Sequence, residues 1–228
     1  MDLFDKNNIV LEKDLDGKGM QNDESQIPFF AKAKEAICLI KYKDKCGTGF
    51  FCNISGVTFL ITNNHVYPQN SEITDNCIDI TINGKLKIIN LEGRGKWTNS
   101  EMDFTFIEIK KEDNIKTPFS LVDNILKSNY SNENYINSRN VTAFALNKYD
   151  KFKLYYSYGY IQKSGKSSFT HTCNTYSGCS GGCIVIQNTN HVIGIHRAGH
   201  KNGEVNVGIF INDVIKNIKK QVNHYSYN

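Results

Sequence analysis

The sequence predicts an all-β fold closed by one C-terminal helix. Three observations carry this. Short apolar runs recur along the chain at modest spacing, turn-forming residues separate them, and only the last stretch changes to helical periodicity. Many short strands spaced in this way argue for a barrel or a sandwich. The 228 residues, 39% of them hydrophobic, suffice for one sizeable domain or for two small barrels sharing a core region.

Taken in order, residues 1–28 are polar, contain Gly17 and Gly19, and carry no apolar signal core, so they read as a weakly ordered extension. The pattern changes near Ile27. AKAKEA is a short amphipathic start, and Ala36 to Tyr42 reads as a strand. Gly49–Cys52 and Thr58–Thr62 read as two strands joined by a turn at Ser55-Gly56. The runs CIDITI, KLKIINL, DFTFIEI, VTAFAL, KLYYSYGYI, CIVIQ, HVIGIHRAG and VNVGIFI follow. Turn residues lie between them at Asn83-Gly84, Gly93, Asn147, Ser164-Gly165, Asn188 to Asn190 and Asn202-Gly203. The polar stretch 112–140 reads as a loop joining two halves. In IFINDVIKNIKKQV, apolar Val214, Ile215, Ile218 and Val222 follow helical spacing, with Asn212 or Asp213 as the cap. The expected organisation is an extension (1–28), a first half (29–125) and a second half with the closing helix (126–228).

Composition excludes several function classes. The net charge of +4 is spread thinly, without the Lys/Arg cluster of a nucleic-acid surface, and no segment reaches membrane-spanning length. The seven cysteines are odd in number and lack paired CxxC spacing, so neither a structural zinc site nor any other metal or cofactor is expected. Free thiols in a reducing, intracellular, cytoplasmic setting are the simplest expectation, which makes the sequons at Asn53, Asn129 and Asn140 chance matches.

One set of residues carries chemistry. Hydrolysis of a peptide bond by serine needs a hydroxyl nucleophile, an imidazole base, a carboxylate to orient that base, and backbone N–H groups facing the oxyanion. Ser180 stands in Gly178-Cys179-Ser180-Gly181-Gly182, a turn in which the N–H groups of Gly178 and Ser180 can converge. His65 follows the apolar strand TFLIT. Asp103 opens DFTFIEI, and Asp79 in CIDITI is the competing carboxylate; the loop-rich stretch before Asp103 favours it. The chain order is His65, Asp103, Ser180.

GTGFF, LITNNHV, DFTFIEI, GCSGGCIV and HVIGIHRAG, in this order, resemble the trypsin-like peptidase superfamily, and most of all bacterial glutamyl endopeptidases and intracellular trypsin-like peptidases. The resemblance spans residues 36–218. It implies two six-stranded antiparallel β-barrels of the chymotrypsin type, with His65 and Asp103 on the first and Ser180 on the second. It implies a serine endopeptidase acting on protein or peptide substrates, and its rivals are a catalytically silent binding protein of the same fold and a cysteine protease using Cys179. It places Thr175 and His196 in the primary specificity pocket, where a hydroxyl and an imidazole N–H would read the oxygen of Glu or Gln. It makes Arg197, Ala198 and Gly199 the edge that pairs with substrate backbone. Asn174, where trypsin proper has an acid, disfavours Lys and Arg. Cys179 replaces the aspartate that pairs with a released amino terminus, so that activation switch is absent. Oxidation of Cys179 or Cys183 would offer another way to block the site.

Overall fold

The structure, a computed structural model, describes residues 9–10, 21–22, 28–68, 76–116, 118–120, 139–146, 153–187, 189, 191–200 and 204–225. Two short strands, β1 (Ile9–Val10) and β2 (Gln21–Asn22), precede helix α1 (Pro28–Ala36). The first half holds β3 (Ile37–Tyr42), β4 (Lys45–Ile54), β5 (Val57–Thr62), β6 (Cys77–Ile82), β7 (Lys85–Asn90), β8 (Lys96–Asn99), β9 (Phe104–Ile109), a 3-10 turn at Lys111–Asp113, and β10 (Phe119–Ser120). The second half holds β11 (Asn140–Leu146), β12 (Leu154–Ser164), β13 (Ser168–His171), β14 (Cys183–Ile186), β15 (Val192–His200), β16 (Asn206–Phe210) and helix α2 (Ile211–Tyr225).

Local chemistry explains the hairpins. Ser55-Gly56 and Asn83-Gly84 both take positive φ at two successive residues, the backbone that matches the twist of a two-residue hairpin. Proline at the first position of α1 loses no hydrogen bond, and its fixed φ starts the helix earlier than the amphipathic run suggested. Helix α2 begins at Ile211, directly on the end of β16, so its start lies before both expected caps. The expected turns at Asn147, at Asn188 and Asn190 and at Asn202-Gly203, and residues 121–138 of the joining segment, lie outside the described residues.

The strands form two sheets. In the second half β15-β14-β11-β12-β13-β16 is a continuous ladder, and β15 also pairs with β16, which closes a six-stranded barrel. In the first half the path is β7-β6-β3-β4-β5-β9-β8, with β10 added parallel to β4. The expected all-β, two-sheet fold of the chymotrypsin type is present; the second half is the closed six-stranded barrel and the first is a half-barrel, in which no ladder among the described residues joins β8 to β7. Arg94 Nη2 donates to Asp113 Oδ1 (2.9 Å) and Gly95 N–H donates to Glu108 Oε2 (3.0 Å).

The two halves share a floor. One apolar cluster runs from Phe30, Phe50, Phe104 and Phe106 through Phe144, Val185 and Ile195 to Val214 and Ile215 of α2. Each such side chain withdrawn from water contributes roughly 1.5–3 kcal/mol, so this cluster fixes the two sheets against each other. Smaller clusters fill each half separately. Among the described residues no helix is long and apolar enough to cross a membrane.

The N-terminal segment does not stand wholly apart. Ile9 and Val10 pair antiparallel with His200 and Gly199 of β15, and Gln21 and Asn22 pair with Tyr156 and Tyr155 of β12.

Candidate active site

His65 lies in the turn after β5. Its own main chain and ring both address one carboxylate. His65 N–H donates to Asp103 Oδ1 (3.0 Å), and ring Nδ1 lies 2.8 Å from Oδ2. The His65 side chain is 47% exposed and that of Asp103 only 7%, so the ring faces solvent while the carboxylate is enclosed. Asp103 sits at the mouth of β9 with φ +60°, a conformation that costs a non-glycine residue about 1 kcal/mol or more. Asn63 Nδ2 holds it there by donating to its carbonyl oxygen (2.9 Å). The competing Asp79 is exposed on β6, opposite Lys41 of β3 and away from this turn.

Ser180 comes from the segment between β13 and β14. Gly178, at φ +104°, and Gly181, at φ +87°, bend it into a tight turn. A side chain at Gly181 would lie 2.1 Å from Thr48 O and 2.3 Å from Thr62 Oγ1, so only glycine fits. The turn is fastened to the first half by Thr48 of β4. Thr48 N–H donates to Ser180 O (2.8 Å) and Thr48 Oγ1 donates to Gly178 O (2.9 Å). Gly181 N–H donates to His196 O (2.9 Å), and His196 N–H to Gly182 O (2.8 Å), which tie the same turn to β15. The Ser180 hydroxyl donates to the Arg197 carbonyl (3.0 Å).

On β15, His196 and Arg197 are both buried although they are adjacent. The strand is covered on both faces, Val192 to Arg197 being buried throughout, so neighbouring side chains that point to opposite sides are both enclosed; its pairing with β16 shifts register between His196 and Ala198. The Arg197 side chain does not face a substrate pocket. Its Nε donates to Asp103 Oδ2 at 3.1 Å, across the gap between the two halves. His196 turns into the second barrel, where its Nδ1 lies 3.2 Å from Nε2 of His171, ring against edge. Thr175 is buried, and its hydroxyl has no partner among the described residues. Asn174 is buried in the same segment, and its N–H donates to Ser157 Oγ (2.8 Å).

Two residues in this arrangement escaped the sequence reading. His171 ends β13, a short strand of buried Ser168, Phe169, Thr170 and His171 whose polar alternation gives no apolar signal. Burial first, and the neighbouring His196 second, hold its imidazole well below the usual range, so it is neutral. Thr48 was visible only as part of GTGFF. Among the thiols, Cys179 is buried, and its Sγ accepts the Tyr176 N–H (3.4 Å). Burial pushes the Cys183 thiol well up.

No family model matches the chain, and no curated protein matches it. Solved structures do. A Glu endopeptidase superposes with TM-score 0.62 at 18% identity, covering 89% of this chain and 93% of that one. The fold is that of the trypsin-like serine proteases. The Rv3671c protease in its inactive form gives TM-score 0.61 at 16% identity over 89% of this chain and 98% of that one. The serine protease domain of the Sesbania mosaic virus polyprotein gives 0.55 at 20%, over 78% and 88%. The trypsin-like fold carries a closed barrel and a half-barrel in this chain; the His65–Asp103 pair lies on the half-barrel, and the Ser180 turn on the closed barrel is tied to the half-barrel by Thr48.

Proposed function

We propose that the chain is a serine endopeptidase in which His65, Asp103 and Ser180 act together. The observation that carries this reading is the 2.8 Å contact between His65 Nδ1 and Asp103 Oδ2, beside a glycine-bounded Ser180 turn on a trypsin-like fold. The contact fixes the ring so that Nε2 is the nitrogen presented as base.

In the reaction, the Ser180 hydroxyl turns from the Arg197 carbonyl towards His65 Nε2 and gives up its proton as Oγ bonds to the scissile carbonyl carbon. The N–H groups of Gly178 and Ser180 receive the charge that develops on the carbonyl oxygen. His65 passes the proton to the leaving amine, and water then releases the acyl group by the same steps. Thr48 supports this assignment, because it fixes the carbonyls on either side of Cys179 and so the planes of the peptides around Ser180. The vacated Arg197 carbonyl, with Ala198 and Gly199, forms the edge that receives substrate backbone.

For the residue before the scissile bond, we favour Glu or Gln, read by Thr175 and His196. The His171–His196 pair supports this. His171 Nδ1 has no partner among the described residues, and a bare ring nitrogen is cheaper to bury there than an orphaned N–H. The proton of neutral His171 therefore belongs on Nε2, donating to His196 Nδ1. With Nδ1 accepting there, His196 carries its own proton on Nε2, the nitrogen that would read a side-chain oxygen. The alternative nucleophile, Cys179, is disfavoured by its buried sulfur and its bond to Tyr176 N–H.

Cleavage-site profiling of the wild type against Ser180→Ala tests the reading. Cleavage after Glu or Gln that is lost by about a thousandfold or more in the variant supports it. A wild type that neither cleaves peptides nor reacts with a serine-directed phosphonate would favour the silent binding protein, and cleavage after Lys, Arg or Leu would overturn the pocket.

A further inference from the structure

We propose that Arg197 is a positioning residue that balances the charge of Asp103 and so sets the proton affinity of His65. This rests on the reading of His65 as the base. The oxygen that faces His65 Nδ1 at 2.8 Å is the same one that accepts Arg197 Nε at 3.1 Å. The Arg197 and Asp103 side chains are each 7% exposed, so solvent does little to screen the pair. Arg197 leaves β15 on the side opposite His196, which carries its guanidinium out of the second barrel and across to the first half. The charged groups set against His65 among the described residues are Asp103, Arg197 behind it, and Lys45, whose Nζ donates to the His65 carbonyl oxygen at 3.2 Å from an exposed position. A full cation on the carboxylate weakens its hold on the imidazolium. Arg197 also spans the two halves, its carbonyl accepting the Ser180 hydroxyl while its side chain reaches Asp103.

The test is the titration of His65 itself, read from imidazole NMR signals assigned with a His65→Gln variant, in wild type, Arg197→Gln and Arg197→Lys. Gln keeps a donor for Asp103 and removes the charge; Met serves in its place if the Gln variant does not fold. The expected result is a midpoint raised by about one pH unit in the neutral variant and close to wild type in the Lys variant. The acid limb of kcat/KM should move with it. An unchanged midpoint in the neutral variant overturns the proposal. Because the NMR titration needs no turnover, a protein without peptidase activity would sink the functional reading while this measurement still decided the role of Arg197.

A different observation carries a second inference. We infer that residues 9–10 cover the edge assigned to substrate and compete with it. Val10 pairs with Gly199 and Ile9 with His200, antiparallel, on the free side of β15. An edge strand has one row of unpaired groups, so a segment of this chain and a substrate peptide cannot both take it. The Ile9→Pro/Val10→Pro variant, which removes two N–H donors from β1, should lose amide protection at Gly199, with KM lowered several-fold and kcat unchanged. Unchanged KM and unchanged protection overturn the inference. If no peptide is cleaved, exchange at Gly199 still decides whether the segment covers the edge.

Discussion

Thr48 N–H donates to the carbonyl oxygen of Ser180 at 2.8 Å, so a strand of the first half holds the turn of the second. The same residue's hydroxyl donates to Gly178 O and lies 3.4 Å from Leu146 N. Thr48→Val keeps the shape and deletes the hydroxyl. It should lower kcat about tenfold with little change in KM, because the oxyanion donors lose their support while the pocket stays. Stability should fall by about 1–2 kcal/mol, since buried polar groups are left unpaired. Steady-state kinetics and denaturant unfolding check both parts.

Stability should depend on pH through His171. Its imidazole is held well below the unfolded value of 6.5 by burial. As pH falls below 6.5 the unfolded chain takes up the proton and the folded chain does not, so the stability present above that pH is progressively lost. The slope approaches about 1.4 kcal/mol per pH unit for one proton. Urea unfolding between pH 8 and pH 5 would show it, and His171→Gln should flatten this part of the profile.

Gln should be preferred to Glu before the scissile bond. Neither Thr175 nor His196 carries a fixed charge, and the Arg197 guanidinium lies on Asp103 rather than in the pocket. A Glu carboxylate would be desolvated with no fixed counter-charge from these groups, whereas a Gln amide needs only a donor. Paired substrates differing only at this residue should favour Gln by roughly tenfold, a preference of about 1.4 kcal/mol. A Glu preference at neutral pH would show that a cation outside this set reaches the pocket.

Thiol reactivity should follow burial. Cys77 is exposed, while burial pushes the Cys52 and Cys173 thiols up to about 12. A thiolate-directed reagent at pH 8 should label Cys77 rapidly in the folded protein and the buried cysteines only on unfolding. Mass-spectrometric mapping with and without denaturant resolves this. Rapid labelling of Cys183 in the folded protein would contradict its burial.

Much of this protein was legible along the chain because the signals are local. Hairpins such as Ser55-Gly56 and Asn83-Gly84 announce themselves by turn chemistry. The strands from CIDITI to VNVGIFI announce themselves as apolar runs, and Ser180 stands out by its glycines. The strands β8 and β13 did not, because KWTN and SFTH hold too few apolar residues for either period to show. The short pairings of Ile9–Val10 and Gln21–Asn22 are set by partners far along the chain, and no local pattern marks them.

The sequence by itself determined the all-β character, the closing helix and the order of the candidate nucleophile, base and carboxylate, since each depends on neighbours in the chain. Only the tertiary structure decided which side chains meet. The closing of the second barrel brought His196 to His171, and the packing of the two halves brought Arg197 to Asp103 and Thr48 to Ser180. A one-residue change of register reverses the face a side chain points to, and that register is fixed by pairing between strands, not within one.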